Sequence, residues 1–397
     1  MRSKVNVTQQ IDDIDAAVQE LLAGVGTEFP LGPSAAGLLF CYSDMDIAAL
    51  ARALKAKADF DIIGCSCIAN MDRHGGFHDM AVTLTILTGE DCVFSAQVSE
   101  PVKSGILQQE VKKAYDSACS NLGGKPGLII AIPPYILEIM LDFYTAAFNE
   151  TAPGIPIAGG LPSYNSAGDF NLTIFNDKTY TDRLVILAIK GAINPVFSVQ
   201  NVTGTDIERK RKVTKAKDNV VYTVGNQSFT DYLRDSGLPV EELIQGNTTI
   251  TFVSNPLLLE SVDGGFSFAR TLHEINLEKG SGTAIGMIPE GSILSICSLQ
   301  REQIQEGALA GIRALKEKME KRKKEEGSEY STVLAFSCIG RNLLMLPNNS
   351  AEIKILLTEF PKELTLSGFY GYGEIGPQGV KEDENFAHNE SLILCAF

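Results

Sequence analysis

Three stretches of this chain follow one order: amphipathic helix, apolar strand, second helix, Gly-rich strand or turn, second apolar strand. A pattern of that kind constrains the fold strongly, because each unit must bury its apolar faces against packed neighbours. The first stretch has a helix around Ile11–Leu22, then the strand Gly37–Cys41 (GLLFC). Ser43 with Asp46 signals an N-cap before the apolar face Ile47, Leu50 and Leu54; Ile62–Ser66 (IIGCS) and the alternating Ala81–Leu87 follow. The second runs from a helix near Ile106–Asn121 to the strand Gly127–Ile132. Pro133–Pro134 then opens a helix apolar on most sides, before Pro156–Leu161 (PIAGGL) and Leu184–Ile189. The third begins with the charged helix Ile304–Lys324 and the strand Val333–Phe336. Asn349 with Glu352 caps a helix that Phe360–Pro361 stops, and Leu366–Glu374 (LSGFYGYGE) and Ser391–Phe397 complete it. A β-rich stretch, roughly Phe197–Leu299, lies between the second and third, with turn signals at Asp263-Gly264-Gly265 and Pro289-Glu290-Gly291. The expected fold is α+β: mixed, largely antiparallel sheets flanked by helices.

Composition narrows the partners. A formal charge of −15 repels phosphate backbones and anionic lipid, so neither nucleic acid nor a membrane is an expected partner. The N-terminus lacks the apolar segment of a signal peptide, and no run of about 18 apolar residues occurs. Eight cysteines lie mostly within apolar runs, which suits reduced thiols in a core and a cytoplasmic setting. The run Glu317–Glu326 reads as a solvated helix face, and the basic patch Arg209–Lys217 as a charged hairpin edge.

The segments LAFSCIGR (Leu334–Arg341), FYGYGEIGP (Phe369–Pro377) and FAHNESLIL (Phe386–Leu394) resemble the C-terminal domain of the FIST family. IIGCS, PIAGGL and Arg211–Leu238 resemble its N-terminal domain. The resemblance implies two halves, 1–228 and 229–397, meeting after the strand Val220–Val224. It also implies a cytoplasmic sensory protein that binds a small ligand such as an amino acid. With no output domain of its own, such a chain would act on a separate signalling partner. One position departs from the family pattern: Asn70 stands where relatives carry an acidic residue.

The residues themselves point to a ligand site in the third stretch. In FYGYGEIGP the glycines permit close backbone approach, Tyr370 and Tyr372 offer an aromatic wall, and Glu374 can meet a ligand ammonium group. Arg341 suits a carboxylate, so that Arg341 and Glu374 would read the two ends of an α-amino acid; the alternative is that they pair with other protein groups. Gly160, Ser163 and Asn165, in the turn-rich GGLPSYN, complete the candidate set. Gly371-x-Gly373-x-x-Gly376 fits a dinucleotide fingerprint formally, but Pro377 follows instead of a helix. Cys65-x-Cys67 with His74 and His78 lacks the spacing of a closed zinc site, so no metal or other cofactor is assigned. Two alternatives remain open. Some FIST relatives resemble haem-based nitric oxide sensors, for which His388 or His74 would be the ligand to test. A cysteine-dependent enzyme would use Cys338 or Cys65, although no histidine stands in a nucleophile motif and no catalytic residue is assigned.

Overall fold

The computed structural model describes the chain except residues 165–170, 202–204, 207–209, 246–248, 263–265 and 379–383. Its architecture is α+β, with three mixed sheets and one antiparallel sheet.

The first sheet is built from β1 (Arg2–Thr8), β2 (Ser34–Tyr42), β3 (Asp61–Cys67) and β6 (Val82–Gly89), with α1 (Ile14–Leu21) and α2 (Ile47–Lys55) between them; β4 (Asn70–Asp72) and β5 (Gly76–His78) form a hairpin after β3. The second uses β7 (Cys92–Val98), α3 (Leu107–Leu122), β8 (Leu128–Ile132), α4 (Leu141–Thr151), β9 (Ile157–Gly160) and β12 (Val185–Gly191), with the hairpin β10 (Thr173–Phe175) and β11 (Lys178–Tyr180). The third uses β13 (Val196–Gln200), α5 (Arg301–Glu326), β14 (Thr332–Cys338), α6 (Ile339–Met345), α7 (Ala351–Glu359), β15 (Thr365–Gly371) and β18 (Leu392–Ala396), with the hairpin β16 (Glu374–Pro377) and β17 (Asn385–His388).

Strand order is the same in all three: β1-β6-β2-β3, β7-β12-β8-β9 and β13-β18-β14-β15. In each, the last two strands are parallel and the other pairings antiparallel. One glycine recurs at the same register. A Cβ on Gly64, Gly159 or Gly368 would lie 1.8, 1.8 or 1.7 Å from the backbone oxygen of Leu39, Ala131 or Ala335 on the parallel neighbour. The hairpins do not stay with the sheet whose strands flank them. β4 pairs with β15, β10 with β3, and β16 with β9, so each sheet lends a hairpin to another in a closed cycle. Strands from both sides of residue 228 therefore share the second and third sheets.

Helices cover the outer faces, and the inner faces meet in one core. Leu38, Phe40 and Ile63 of the first sheet pack there with Ile130 and Leu187 of the second and Phe336 of the third. The driving force is the burial of these branched and aromatic side chains, which strands display on alternate positions. Cys65, Cys67 and Cys395 belong to the same core, and all eight cysteines are free of disulfides.

Residues after β13 form the fourth sheet. Its path runs from Ser267–Arg270 at one end to Leu272–Asn276 at the other. Because these edge strands are consecutive in sequence, the sheet curls around its own core of Val213, Phe229, Leu257 and Leu294. The turn signal at Asp263-Gly264-Gly265 lies outside the described residues, as do Asn165 and Arg209. No helix among the described residues is long and apolar enough to cross a membrane.

Three local expectations need correction. Pro133–Pro134 does not open a helix: α4 starts at Leu141, and residues 133–140 form an irregular loop closed by a bridge between Ile136 and Ile139. Asn349 and Glu352 do not cap α7, whose N-cap is Ser350 without a side-chain bond. Glu352 is held by Arg341 instead. At α2 the cap is Asp46, which accepts from the Ala49 amide, while the Ser43 hydroxyl turns to Asp44.

Candidate functional site

Ligands of α/β sheets collect beyond the carboxyl ends of parallel strands, where loops and side chains converge. Here the ends of β8 and of β14/β15 face one another, and the edge of the fourth sheet closes over them. Between them lies a cavity of about 410 Å³. Tyr135 comes from the loop after β8, Cys338 from the end of β14, and Tyr372 from the turn after β15. Thr271 and His273 come from the fourth sheet, and Glu390 from the turn between β17 and β18. A smaller lobe of about 80 Å³ shares Tyr135, His273, Tyr372 and Asn389 with it.

Glu390 is the dominant polar group. It is 1% exposed and has a positive φ of 52°, uncommon for a residue with a Cβ. Its Oε1 accepts a 2.8 Å hydrogen bond from the Thr271 hydroxyl, whereas Oε2 has no protein partner. Burial raises its carboxyl from the ordinary 4.5 to about 7, against the opposing pull of the Thr271 hydrogen bond and the Arg341 charge. Gly340 makes room for it: a Cβ there would lie 2.5 Å from both carboxylate oxygens. Beside it, the amide oxygen of Asn389 is also buried without a partner. Such orphaned acceptors are costly in a dry protein interior and call for a donor.

The wall is aromatic and apolar. Tyr135 and Tyr164 pack against Tyr372 with ring centroids 5.6 and 5.7 Å away, and the Tyr372 hydroxyl donates to the Tyr164 carbonyl at 2.9 Å. Phe252, Val253 and Leu343 line the far side.

Of the described residues expected from sequence, Tyr372 lines this cavity; Arg341, Tyr370, Glu374, Gly160 and Ser163 do not. Arg341 is 1% exposed on α6; its Nε and Nη2 bind Glu352 Oε1 at 2.9 and 2.5 Å, and weaker bonds reach the carbonyls of Ile304 and Glu390. Ser337 donates to the other Glu352 oxygen at 2.6 Å, so the pair is enclosed and satisfied. Glu374, also 1% exposed, accepts from the Ser391 hydroxyl at 2.7 Å, and its other oxygen has no partner. Burial, then the charge of Glu390, raise its carboxyl well above the usual range. Arg341 and Glu374 are thus not the two poles of one open site. Tyr370 is buried in β15 with its ring edge-on to Phe77. Ser163 works as a staple: its hydroxyl donates to the Tyr370 carbonyl at 2.5 Å and accepts from the Ile68 amide at 3.0 Å. Gly160 pairs with Glu374 and lets the Gly373 carbonyl come within 2.7 Å of where a Cβ would be. Asn165 lies outside the described residues.

The alternative chemistries meet specific obstacles. Burial, together with Glu374 and Glu390, pushes the Cys338 thiol well above its ordinary value, which disfavours the thiolate a nucleophile needs. Cys65 is sealed in the central core. His388, the first haem-ligand candidate, is 1% exposed and donates Nε2–H to the Gly376 carbonyl at 3.1 Å. Burial lowers its pKa to about 4. It does not line the cavity, so it is not placed to serve as an axial haem ligand there. His78 pairs with buried Asp72, and among the described residues no group of three His, Cys, Asp or Glu could hold a metal ion.

Comparison with family models finds two matches. The FIST N domain matches residues 35–227 and the FIST C domain matches 227–377. The chain belongs to the FIST family. FIST domains are associated with sensory and signal-transduction proteins. A search of the curated proteins finds no match. In this FIST chain the Asn70 Nδ2 donates to the carbonyls of Ala81 at 2.8 Å and Phe40 at 3.4 Å, a task no carboxylate can perform. Sequence reasoning overlooked Glu390, although FAHNESLIL contains it. A carboxylate between two apolar strands was the same signal that pointed to Glu374.

Proposed function

We propose that this protein is a cytoplasmic sensor that binds a small metabolite through its amino group, amino acids and related amines being the class to test. In this reading it transmits the bound state to a separate protein partner and performs no catalysis. The observation that carries the proposal is Glu390, which lines a 410 Å³ cavity and has one carboxylate oxygen buried without a protein partner. An ammonium group supplies both the missing donor and the countercharge. Residues from both sides of position 228 line the cavity, so a ligand there bridges the halves we assign to 1–228 and 229–397. Ligands favour such sites, and bridging gives binding a route to alter how the halves pack.

Thermal unfolding against a panel of amino acids and amines tests this. A ligand at 100 times its Kd adds about 2.7 kcal/mol to the folded state, enough to move the midpoint by several degrees. A selective shift that Glu390→Gln removes is the expected result. A panel that leaves the midpoint unmoved, or a shift that survives Glu390→Gln, refutes the assignment.

A further inference from the structure

The proposed amino-group site leaves open what else the ligand carries. The groups around the cavity decide this by charge. Among the described residues lining it, none is a lysine or arginine, and His273 is the one basic side chain. Arg341 and Arg270, each next in sequence to a lining residue, are committed elsewhere: Arg341 to Glu352 and the carbonyls of Ile304 and Glu390, Arg270 to Asp142 and the carbonyls of Ala269, Met287 and Ala387. The acidic side is crowded: Glu390 borders the cavity, with Glu374 and Glu352 buried behind it. The unpartnered side-chain atoms at its edge, Glu390 Oε2 and Asn389 Oδ1, are both acceptors.

A ligand carboxylate placed here would face the Glu390 carboxylate, with the His273 imidazole the one basic side chain to receive it. The rest of the surface is apolar or aromatic, through Phe252, Val253, Ile285, Leu343 and the tyrosine wall. We infer that the ligand is a primary amine without an α-carboxylate, carrying an apolar or aromatic body that lies along the tyrosines. The ammonium group pairs with Glu390 and Asn389, whose unpartnered oxygens are buried here and turn towards the cavity to receive it. The body occupies the apolar side, where its burial adds affinity independent of charge. This rests on the amino-group reading above and narrows it, since amino acids and amines share the ammonium but differ in the group that this cavity cannot accommodate.

Three probes with one body separate the possibilities: phenethylamine, phenylalanine and 3-phenylpropionate, titrated calorimetrically into the full chain. Phenethylamine is expected to bind, phenylalanine to be weaker by at least about tenfold, and the acid to show no heat of binding. Glu390→Gln should remove the amine signal. Gly340→Ala, whose Cβ would press on the same carboxylate within the cavity wall, should weaken it as well. Circular dichroism of both variants establishes that they fold. Phenylalanine binding as tightly as phenethylamine, with both lost in Glu390→Gln, overturns the amine assignment and leaves the amino-group site standing. If neither probe binds, nor the aliphatic pair isopentylamine and leucine, the site itself is refuted and the ligand class with it.

Discussion

Glu390→Gln should change how stability depends on pH, and the size of the effect follows from the structure. In the folded chain the carboxyl is 1% exposed and titrates at about 7, against 4.5 when solvated. Each pKa unit corresponds to about 1.4 kcal/mol, so the displacement is worth about 3 kcal/mol. The sign follows from proton binding: the folded state holds this proton more tightly than the unfolded state. The contribution is therefore present in full below pH 4.5 and is lost as pH rises through about 7. Glutamine has the same shape and cannot ionise. Relative to the parent, Glu390→Gln should be near neutral at pH 4.5 and more stable by about 3 kcal/mol at pH 8. The chain contains no tryptophan, so urea unfolding is best followed by far-ultraviolet circular dichroism at a series of pH values. Taking the difference between the two proteins removes groups that titrate identically in both. A stability difference that stays constant across this range would falsify the claim that burial outweighs the Arg341 charge at Glu390. Saturating amine ligand should flatten the parent's curve towards that of the variant, because the ammonium stabilises the ionised form.

Other substitutions test neighbouring parts of the argument. Glu352→Ala leaves the Arg341 guanidinium buried without its carboxylate and should cost about 3–5 kcal/mol in urea unfolding; a loss below about 1 kcal/mol contradicts the enclosed ion pair. Asn70→Asp replaces the donor to Ala81 and Phe40 by an acceptor and should cost about 1–3 kcal/mol, more at pH 8 than at pH 4 if the new carboxyl stays buried. Gly340→Ala should weaken amine binding by about tenfold or more while changing stability by no more than about 1 kcal/mol, since α6 tolerates alanine and the contact is with the end of a side chain. Gly368→Ala drives a Cβ into the Ala335 backbone oxygen and should cost more than about 4 kcal/mol, visible as loss of soluble protein or of the cooperative transition.

Much of the architecture is legible from short-range pattern. GLLFC, GLIIAI and the apolar run from Val333 to Phe336 lie in β2, β8 and β14 respectively, because continuous apolar stretches of that length suit strands covered on both faces. The charged helix from Ile304 and the stop at Phe360–Pro361 were likewise readable, since periodicity and proline act locally. The helix expected after Pro133–Pro134 was misread although Ile139 and Leu141 are core residues as expected: an irregular loop carries the stretch up to Leu141, leaving Leu137 72% exposed and Tyr135 at the cavity.

The candidate site shows where local reading ends. Sequence alone determined the strands, their glycines and the presence of carboxylates and tyrosines in the Gly-rich segments, all consequences of backbone sterics and hydrophobic spacing. Tertiary structure decided how these groups are used. Glu352 looked like a helix cap, yet it neutralises Arg341, because α6 and α7 fold so that two residues 11 positions apart meet out of water. Glu374 and Glu390 have similar apolar surroundings in sequence, but only Glu390 borders the cavity, where β8, β14 and the fourth sheet converge. Charge pairing depends on distances in space and on exclusion of solvent. Both are set by the cyclic exchange of hairpins and by the packing of the fourth sheet, which join segments far apart in the chain.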